Sequence, residues 1–297
     1  MSNVVYIDGE LIPHSDAKVT VYDHGLLYGD GAFEGIRIYS GRIFKLKEHL
    51  SRLYYSAHAL MIDLPITKEE MEQVIVDLCR RNGAENGYIR LSITRGTGLG
   101  LDPRGIVNPR IIIMTDRLNL YPSEMYTDGL HVVTVSTRVM PSQCLEPRIK
   151  SLGKYVANIQ AKLEANRVGA GEGLMLNLQG YVAEATGDNV FLVKDGKVIT
   201  PPAYAGILEG ITRNTVIDLA RENGYVVEEK LFTLFDVYTT DECFLTGTAA
   251  EVIPVVKVDG RTIGRGVPGE ITGKLMEAFH AYTKVTGVPI AEPMAAK

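Results

Sequence analysis

Strand-like segments come in clusters along this chain instead of alternating one for one with helices, an ordering that favours an α+β architecture over a doubly wound parallel sheet. Val4 to Ile7, Lys18 to Tyr22 and Gly35 to Lys45 read as strands, with tight turns at Asp8-Gly9 and Ser40-Gly41. The period then changes. Leu46, Leu50, Leu53, Ala57 and Leu60 recur at three- and four-residue steps, which predicts a helix. Thr67 followed by Glu70 reads as the capping box of a second helix, ending near Asn82-Gly83. Strands follow at Gly87 to Thr94, Arg110 to Thr115 and Leu130 to Val139.

The chain has 297 residues, which suggests two domains. The polar, proline-containing stretch 119–128 reads as the linker between a domain at 1–118 and a larger one at 129–297. The second half opens with a helical stretch after Gly153, where Tyr155, Ile159 and Leu163 share a face. Short strands between Gly173 and Thr200 are broken at Gln179-Gly180 and Asp195-Gly196. A helix from about Gly210 to Asn223, strands at Glu242 to Leu245 and Val252 to Val258, and a last helix from about Gly269 complete the pattern.

Charge narrows the partners. Against 31 Lys and Arg stand 36 Asp and Glu, a net charge of −5 with no run of five like charges. That distribution offers no footprint for nucleic acid or an anionic membrane, so a small molecule is the expected partner. Three scattered cysteines without a CxxC motif suit free thiols in a reducing compartment. The N-terminal residues lack a basic region followed by an apolar stretch, and no segment reaches the ~18 apolar residues of a membrane span. A cytoplasmic location is expected.

Several common sites fail on spacing. The run from Gly29 to Gly35 has one residue too many for GxGxxG and leads into a strand. Gly273-Lys274 is followed by Leu275, which excludes a Walker motif. No two of the six histidines stand at HxxxH spacing, and no GxSxG occurs, so no metal site or serine elbow is expected.

What remains is a set of polar residues in unusual places. Strand alternation in Gly87 to Arg95 puts Ile89, Leu91 and Ile93 on one face and Tyr88, Arg90, Ser92 and Thr94 on the other. The polar face is either ordinary solvent surface or a donor pair for a carboxylate. Gly210-Ile211-Thr212 opens a helix whose first N–H groups can bind an anion. The small residues of Thr246-Gly-Thr-Ala-Ala-Glu251 let backbone approach a ligand. Lys150 and Lys154 are both candidate amines, and spacing alone does not choose between them. Glu184, among apolar and small residues, is costly to bury without a partner.

The segment from Glu184 through Asn189 and Phe191 to Leu208, Gly210, Ile211 and Arg213 resembles the signature of the class IV aminotransferases, which are fold-type IV pyridoxal 5′-phosphate enzymes. The resemblance runs from Tyr6-Ile-Asp-Gly9 to Asp259-Gly260. It implies a two-domain α+β protein like D-amino-acid aminotransferase, with the cofactor in the interdomain cleft. Lys150 then corresponds to the catalytic lysine that binds the cofactor covalently, Glu184 to the acid paired with its pyridine nitrogen, and Tyr155 to the tyrosine on its phenolic oxygen. Arg52, Ile211, Thr212 and Thr248 match the phosphate site.

Within the family, Tyr88-Ile-Arg90 is similar to the branched-chain amino-acid aminotransferases, which implies exchange between Leu, Ile or Val and 2-oxoglutarate. There, Tyr88 with Gly247, Thr248 and Ala249 holds the α-carboxylate, and Arg90 helps to accept the side-chain carboxylate of glutamate. Phe33, Gly35 and Tyr28 match the apolar pocket, with Tyr28 expected from a neighbouring subunit. The resemblance thus implies a homodimer at minimum, with a hexamer as a larger alternative. Alternatives on the same scaffold are a D-amino-acid or (R)-amine transaminase and a 4-amino-4-deoxychorismate lyase. Arg104, on a glycine-rich loop, is either near the site or in solvent, and Lys154 stands where many relatives carry a small polar residue.

Overall fold

The structure, a computed structural model, describes residues 3–117 and 120–291. These fall into two compact units, the first drawn from 1–118, 149–153 and 283–297, the second from 119–148 and 154–282.

The first unit opens with a hairpin of β1 (Val4–Ile7) and β2 (Glu10–Pro13). Its two-residue loop, Asp8-Gly9, takes positive φ at both positions, as strand twist requires. After a short helix, α1 (His24–Tyr28), capped by the Asp23 carboxylate, come β3 (Gly31–Tyr39) and β4 (Arg42–Ile43). Helices α2 (Leu46–Ala59) and α3 (Lys68–Arg81) follow, and Thr67 and Glu70 form the expected reciprocal cap of α3. Strands β5 (Gly87–Thr94) and β6 (Arg110–Asp116) complete an antiparallel sheet in the order β4-β3-β5-β6-β1-β2. The helical stripe Leu46, Leu50, Leu53 and Ala57 is buried in one core with Ile89, Leu91 and Ile93 of β5.

The second unit contains α4 (Glu124–Asp128), β7 (Leu130–Thr134), α5 (Tyr155–Arg167), β8 (Glu172–Leu176) and β9 (Val182–Ala185). It continues with β10 (Asn189–Lys194), β11 (Lys197–Thr200), α6 (Ile211–Glu222), β12 (Val227–Glu229) and α7 (Leu234–Tyr238). Then come β13 (Glu242–Gly247), β14 (Glu251–Val258), β15 (Arg261–Thr262) and α8 (Glu270–Val285). The pairings β7–β8, β8–β9, β9–β10, β10–β13, β13–β14 and β14–β7 return to their start, so these strands form a closed ring. One pair, Glu184 opposite Asn189, closes it between β9 and β10. Among the described residues no helix is long and apolar enough to cross a membrane.

Four expectations are revised. Lys18 to Tyr22 is not a strand, since Val19, Val21 and Tyr22 are exposed with no strand beside them, and the chain turns into α1. The helix after Gly153 forms as α5, but Ile159 and Leu163 face outward while Asn158, Ala161 and Ala165 are buried. Small residues are needed there because a Cβ on Gly173 of β8 would lie only 3.3 Å from the Ala161 carbonyl oxygen. The proposed linker contains α4 and a buried Tyr121, both part of the second unit.

The fourth concerns segments assigned to the second domain. Residues 149–153 lie against β3, with Ser151 bridged to Ala32 and Leu152 N–H bonded to the Gly31 carbonyl at 2.9 Å. Beyond α8, β16 (Val288–Pro289) pairs with β4 as a seventh strand of the first sheet.

Candidate active site

The site residues of the first unit are gathered by the register of β3 on β5. Gly35 is opposite Arg90, Phe33 opposite Ser92 and Arg37 opposite Tyr88, so Phe33, Gly35, Tyr88 and Arg90 share a sheet face. The Arg90 guanidinium stacks 3.5 Å from the centre of the Phe33 ring and donates from Nε to Ser92 Oγ at 3.3 Å. Tyr88 lies over Gly35, where a Cβ would stand 2.0 Å from the phenolic oxygen; only glycine admits the ring. The polar face of β5 is therefore a built surface.

Lys150 belongs to the same group. Its amide donates to Ser56 Oγ at 3.3 Å, its carbonyl accepts from Phe33 N–H at 3.0 Å, and its Nζ stands 4.8 Å from the Phe33 ring centre. Ser56 is one helical turn beyond Arg52 on α2.

On the opposite face of β3, Glu34 is fully buried between Arg52 and His49. Burial pushes its carboxyl up, but the Arg52 guanidinium and the His49 ring outweigh that and hold it down at about 2. Burial, as the largest influence, pushes the His49 imidazole below its ordinary value. Arg52, expected at a phosphate, thus has its orientation set by a carboxylate.

Tyr28 ends α1, partly exposed, with its phenolic oxygen accepting from Gly100 N–H at 3.3 Å. Arg104 folds onto Asp102 two residues before it, with its side chain 89% exposed.

In the second unit, Glu184 sits at the closure of the strand ring. Its Oε2 accepts from Leu208 N–H at 2.9 Å, and its Oε1 lies 3.1 Å from Lys154 Nζ. Both side chains of that ion pair are almost wholly buried. Tyr155, Asn158, Glu184, Asp188 and Asn189 line one small cavity with Leu208, whose carbonyl accepts from Asn189 at 2.9 Å.

Gly210 precedes α6 in an extended conformation, and no side chain caps the helix, so Ile211 and Thr212 open it with backbone donors. A Cβ on Gly210 would meet Asn189 Oδ1 at 2.1 Å, which explains glycine there. Arg213 faces away from this role, bonded to the Pro201 carbonyl and Glu229. Thr248 and Ala249 form the turn between β13 and β14, after Gly247, where a Cβ would stand 1.9 Å from Asp188 Oδ1. Asp188 accepts from Tyr121, as does Glu172. Among the described residues no His, Cys, Asp and Glu cluster could hold a metal ion.

A family model described as amino-transferase class IV matches residues 31–258. The chain belongs to the class IV aminotransferases. A protein of Methanocaldococcus jannaschii, provisionally named branched-chain-amino-acid aminotransferase, is 49% identical over 96% of this chain and 98% of its own length. The crystal structure of the Escherichia coli branched-chain amino acid aminotransferase superposes with a TM-score of 0.92 at 34% identity, covering 95% of this chain and 94% of that one. The branched-chain amino acid aminotransferase of Thermobaculum terrenum, solved in its PLP-bound holo-form, gives 0.86 at 32% identity over 95% and 94% of the two chains. The family resemblance and the fold class read from the sequence are borne out.

Sequence reasoning missed Glu34, His49, Asp188 and Tyr121. For Glu34 a signal existed: it occupies the core register of β3 with Ile36 and Ile38, where an acid needs buried partners. For Tyr121, within the presumed linker, none did.

Proposed function

We propose that this protein is a pyridoxal 5′-phosphate-dependent branched-chain-amino-acid aminotransferase that exchanges amino groups between leucine, isoleucine or valine and 2-oxoglutarate. The observation that carries this reading is the sheet face holding Lys150, Phe33, Gly35, Tyr88 and Arg90 together, within a chain whose class IV relatives bear branched-chain names.

The residues fit the cofactor by their chemistry. A buried, acceptor-only carboxylate, Glu184, suits a protonated ring nitrogen, and the uncapped start of α6 suits a phosphate. When bound, the cofactor supplies the electron sink that makes loss of a proton from the substrate Cα feasible. Lys150 Nζ accepts and returns that proton. In the second unit Ile211 and Thr212 N–H and the Thr248 hydroxyl would hold the phosphate and Tyr155 the phenolic oxygen; in the first unit Arg52 is the phosphate donor.

In the first unit Tyr88, and in the second the Gly247–Ala249 turn, are each the groups that would receive the substrate α-carboxylate. Phe33 and Gly35, joined by Tyr28 of a neighbouring subunit, enclose an apolar side chain, and Arg90 receives the distal carboxylate of glutamate.

A homodimer, or a hexamer built from dimers, completes this reading. Val21, Tyr22, Leu26, Tyr28, Leu99 and Leu101 are exposed on two segments tied together by Gly98 N–H to Tyr22 O at 3.1 Å and Gly100 N–H to Tyr28. An apolar surface of that kind suits a second copy. A cytoplasmic location accords with three cysteines that form no disulfide.

Borohydride reduction of the holoenzyme followed by peptide mapping should place the cofactor on Lys150; a label on Lys154 would reverse the assignment. L-leucine should bleach the cofactor's visible band and 2-oxoglutarate restore it. Faster turnover of D-alanine or (R)-1-phenylethylamine would move the enzyme to a different substrate class, and pyruvate release without 2-oxoglutarate would indicate a lyase. Sedimentation separates monomer, dimer and hexamer.

A further inference from the structure

The Lys154 amine is placed where a surface lysine is never found. Its side chain is 3% exposed, and its two polar contacts are Glu184 Oε1 at 3.1 Å and the Pro147 carbonyl oxygen at 3.4 Å. Glu184 is 7% exposed, and its other oxygen accepts from the Leu208 amide. Two opposite charges removed from water hold each other in place, because losing either partner leaves the other buried without a counter-charge. A carboxylate has about four acceptor positions over its two oxygens, so these two donors leave capacity for a third.

We propose that Lys154 is a positioning residue for cofactor binding: through its ion pair it fixes the plane of the Glu184 carboxylate and keeps it a pure acceptor before the ring nitrogen arrives. This rests on the reading of Glu184 as partner of that nitrogen. The fold supports the role from both ends. Lys154 is the cap residue of α5, one residue before Tyr155, and Glu184 is paired with Asn189 at the single closing position of the strand ring. A shift of the carboxylate would disturb the Leu208 amide, and Leu208 also holds Asn189, which abuts Gly210 at the start of α6. The ion pair thereby stabilises the geometry of the ring-nitrogen partner and of the helix start together.

Titratable and charged groups near the pair include Tyr155 and Asp188, which line the same cavity, and Glu146, whose carboxyl is held low chiefly by Arg148 and to a lesser degree by Lys154, with Glu209 close to Arg148. Lys154 is the cation that meets the Glu184 carboxylate directly. Commitment of this amine to Glu184 also separates its task from that of Lys150, four positions earlier.

The test compares K154M, K154R, E184Q and the K154M/E184Q pair. In K154M the buried carboxylate is left without its counter-charge. Infrared spectra of the cofactor-free chain should then show the carbonyl stretch of a buried protonated carboxyl in K154M, absent from the parent, from K154R and from the double variant. Equilibrium binding of pyridoxal 5′-phosphate should weaken about tenfold or more in K154M, with a new pH dependence, and recover in K154R. The double variant, lacking both charges, controls for folding. No carboxyl band and unchanged cofactor affinity in K154M would overturn the proposal. An E184Q variant that binds the cofactor as the parent does would instead overturn the reading of Glu184, whatever K154M shows.

Discussion

Arg52 meets Glu34 through two hydrogen bonds of 2.7 Å, Nε to Oε1 and a terminal nitrogen to Oε2, and His49 Nδ1 reaches that same Oε2 at 2.7 Å. A planar guanidinium held in this fork loses rotational freedom before any ligand arrives, which is how an arginine is made ready for a phosphate. Replacing Glu34 by Gln should leave Arg52 loosely held and weaken retention of pyridoxal 5′-phosphate severalfold, as followed by dialysis of the holoenzyme. Retention equal to the parent's would argue against a phosphate role for Arg52.

The same cluster sets an acid limit on stability. The folded Glu34 carboxyl, at about 2, lies below its ordinary value of 4.5, so its stabilisation is fully present above pH 4.5 and is lost as pH falls toward 2. The difference corresponds to on the order of 3 kcal/mol. His49 acts in the same direction, since burial disfavours its protonated form in the folded chain. Urea midpoints taken between neutral and acid pH should fall more steeply for the parent than for E34Q.

The Arg90 guanidinium lies over the Phe33 ring, 3.5 Å from its centre. Replacing Arg90 by Ala should reduce kcat/KM for 2-oxoglutarate by about tenfold to a hundredfold, the loss of one charge-assisted contact, and reduce turnover of leucine far less. An equal loss for the two substrates would show that the arginine does not read the glutamate carboxylate.

Two glycines should be intolerant of even a methyl group. Gly35→Ala would force Tyr88 aside, and Gly247→Ala would force Asp188 from beneath the β13–β14 turn. Gly35→Ala should raise KM for amino acids with little change in thermal midpoint, whereas Gly247→Ala should raise KM and also lower the midpoint, because Asp188 is buried and bonded to Tyr121 of the second unit's core. A large drop in midpoint with normal KM would assign both contacts to folding alone.

Thiol labelling gives a check on packing. Cys79 and Cys243 are buried, which pushes each thiol up to about 12, whereas Cys144 is exposed. An alkylating reagent should modify Cys144 in the native protein and all three cysteines only after denaturation.

The helices and central strands of the first unit were legible because their apolar spacing is regular: the stripe from Leu46 to Ala57 and the alternation from Ile89 to Ile93 are buried as periodicity implies. Where packing depended on a distant partner, the reading failed. Val19 and Val21 alternate like a strand but find no neighbour, and Ile159 and Leu163 look like a core stripe although alanines occupy the inner face of α5. The candidate residues Lys150, Glu184 and the start of α6 could be picked out by motif order, since each carries recognisable neighbours. Glu34 and His49 were not, because a buried carboxylate is explained only by cations that tertiary contact brings to it.

The pairing of β16 with β4 has a consequence for how the protein is made. Arg42 bonds the Gly287 carbonyl and Arg80 bonds that of Ile290, so the sheet edge begun early in translation receives β16 only after the whole second unit has been made. At about 5–20 residues per second, the roughly 245 residues between β4 and β16 take on the order of tens of seconds, during which β4 is paired with β3 alone. The inserted piece 149–153 arrives in the interval. A gene cut between residues 118 and 119 would therefore yield an N-terminal product with the β4 edge uncovered, and that product should regain solubility only when the missing segments are supplied in trans.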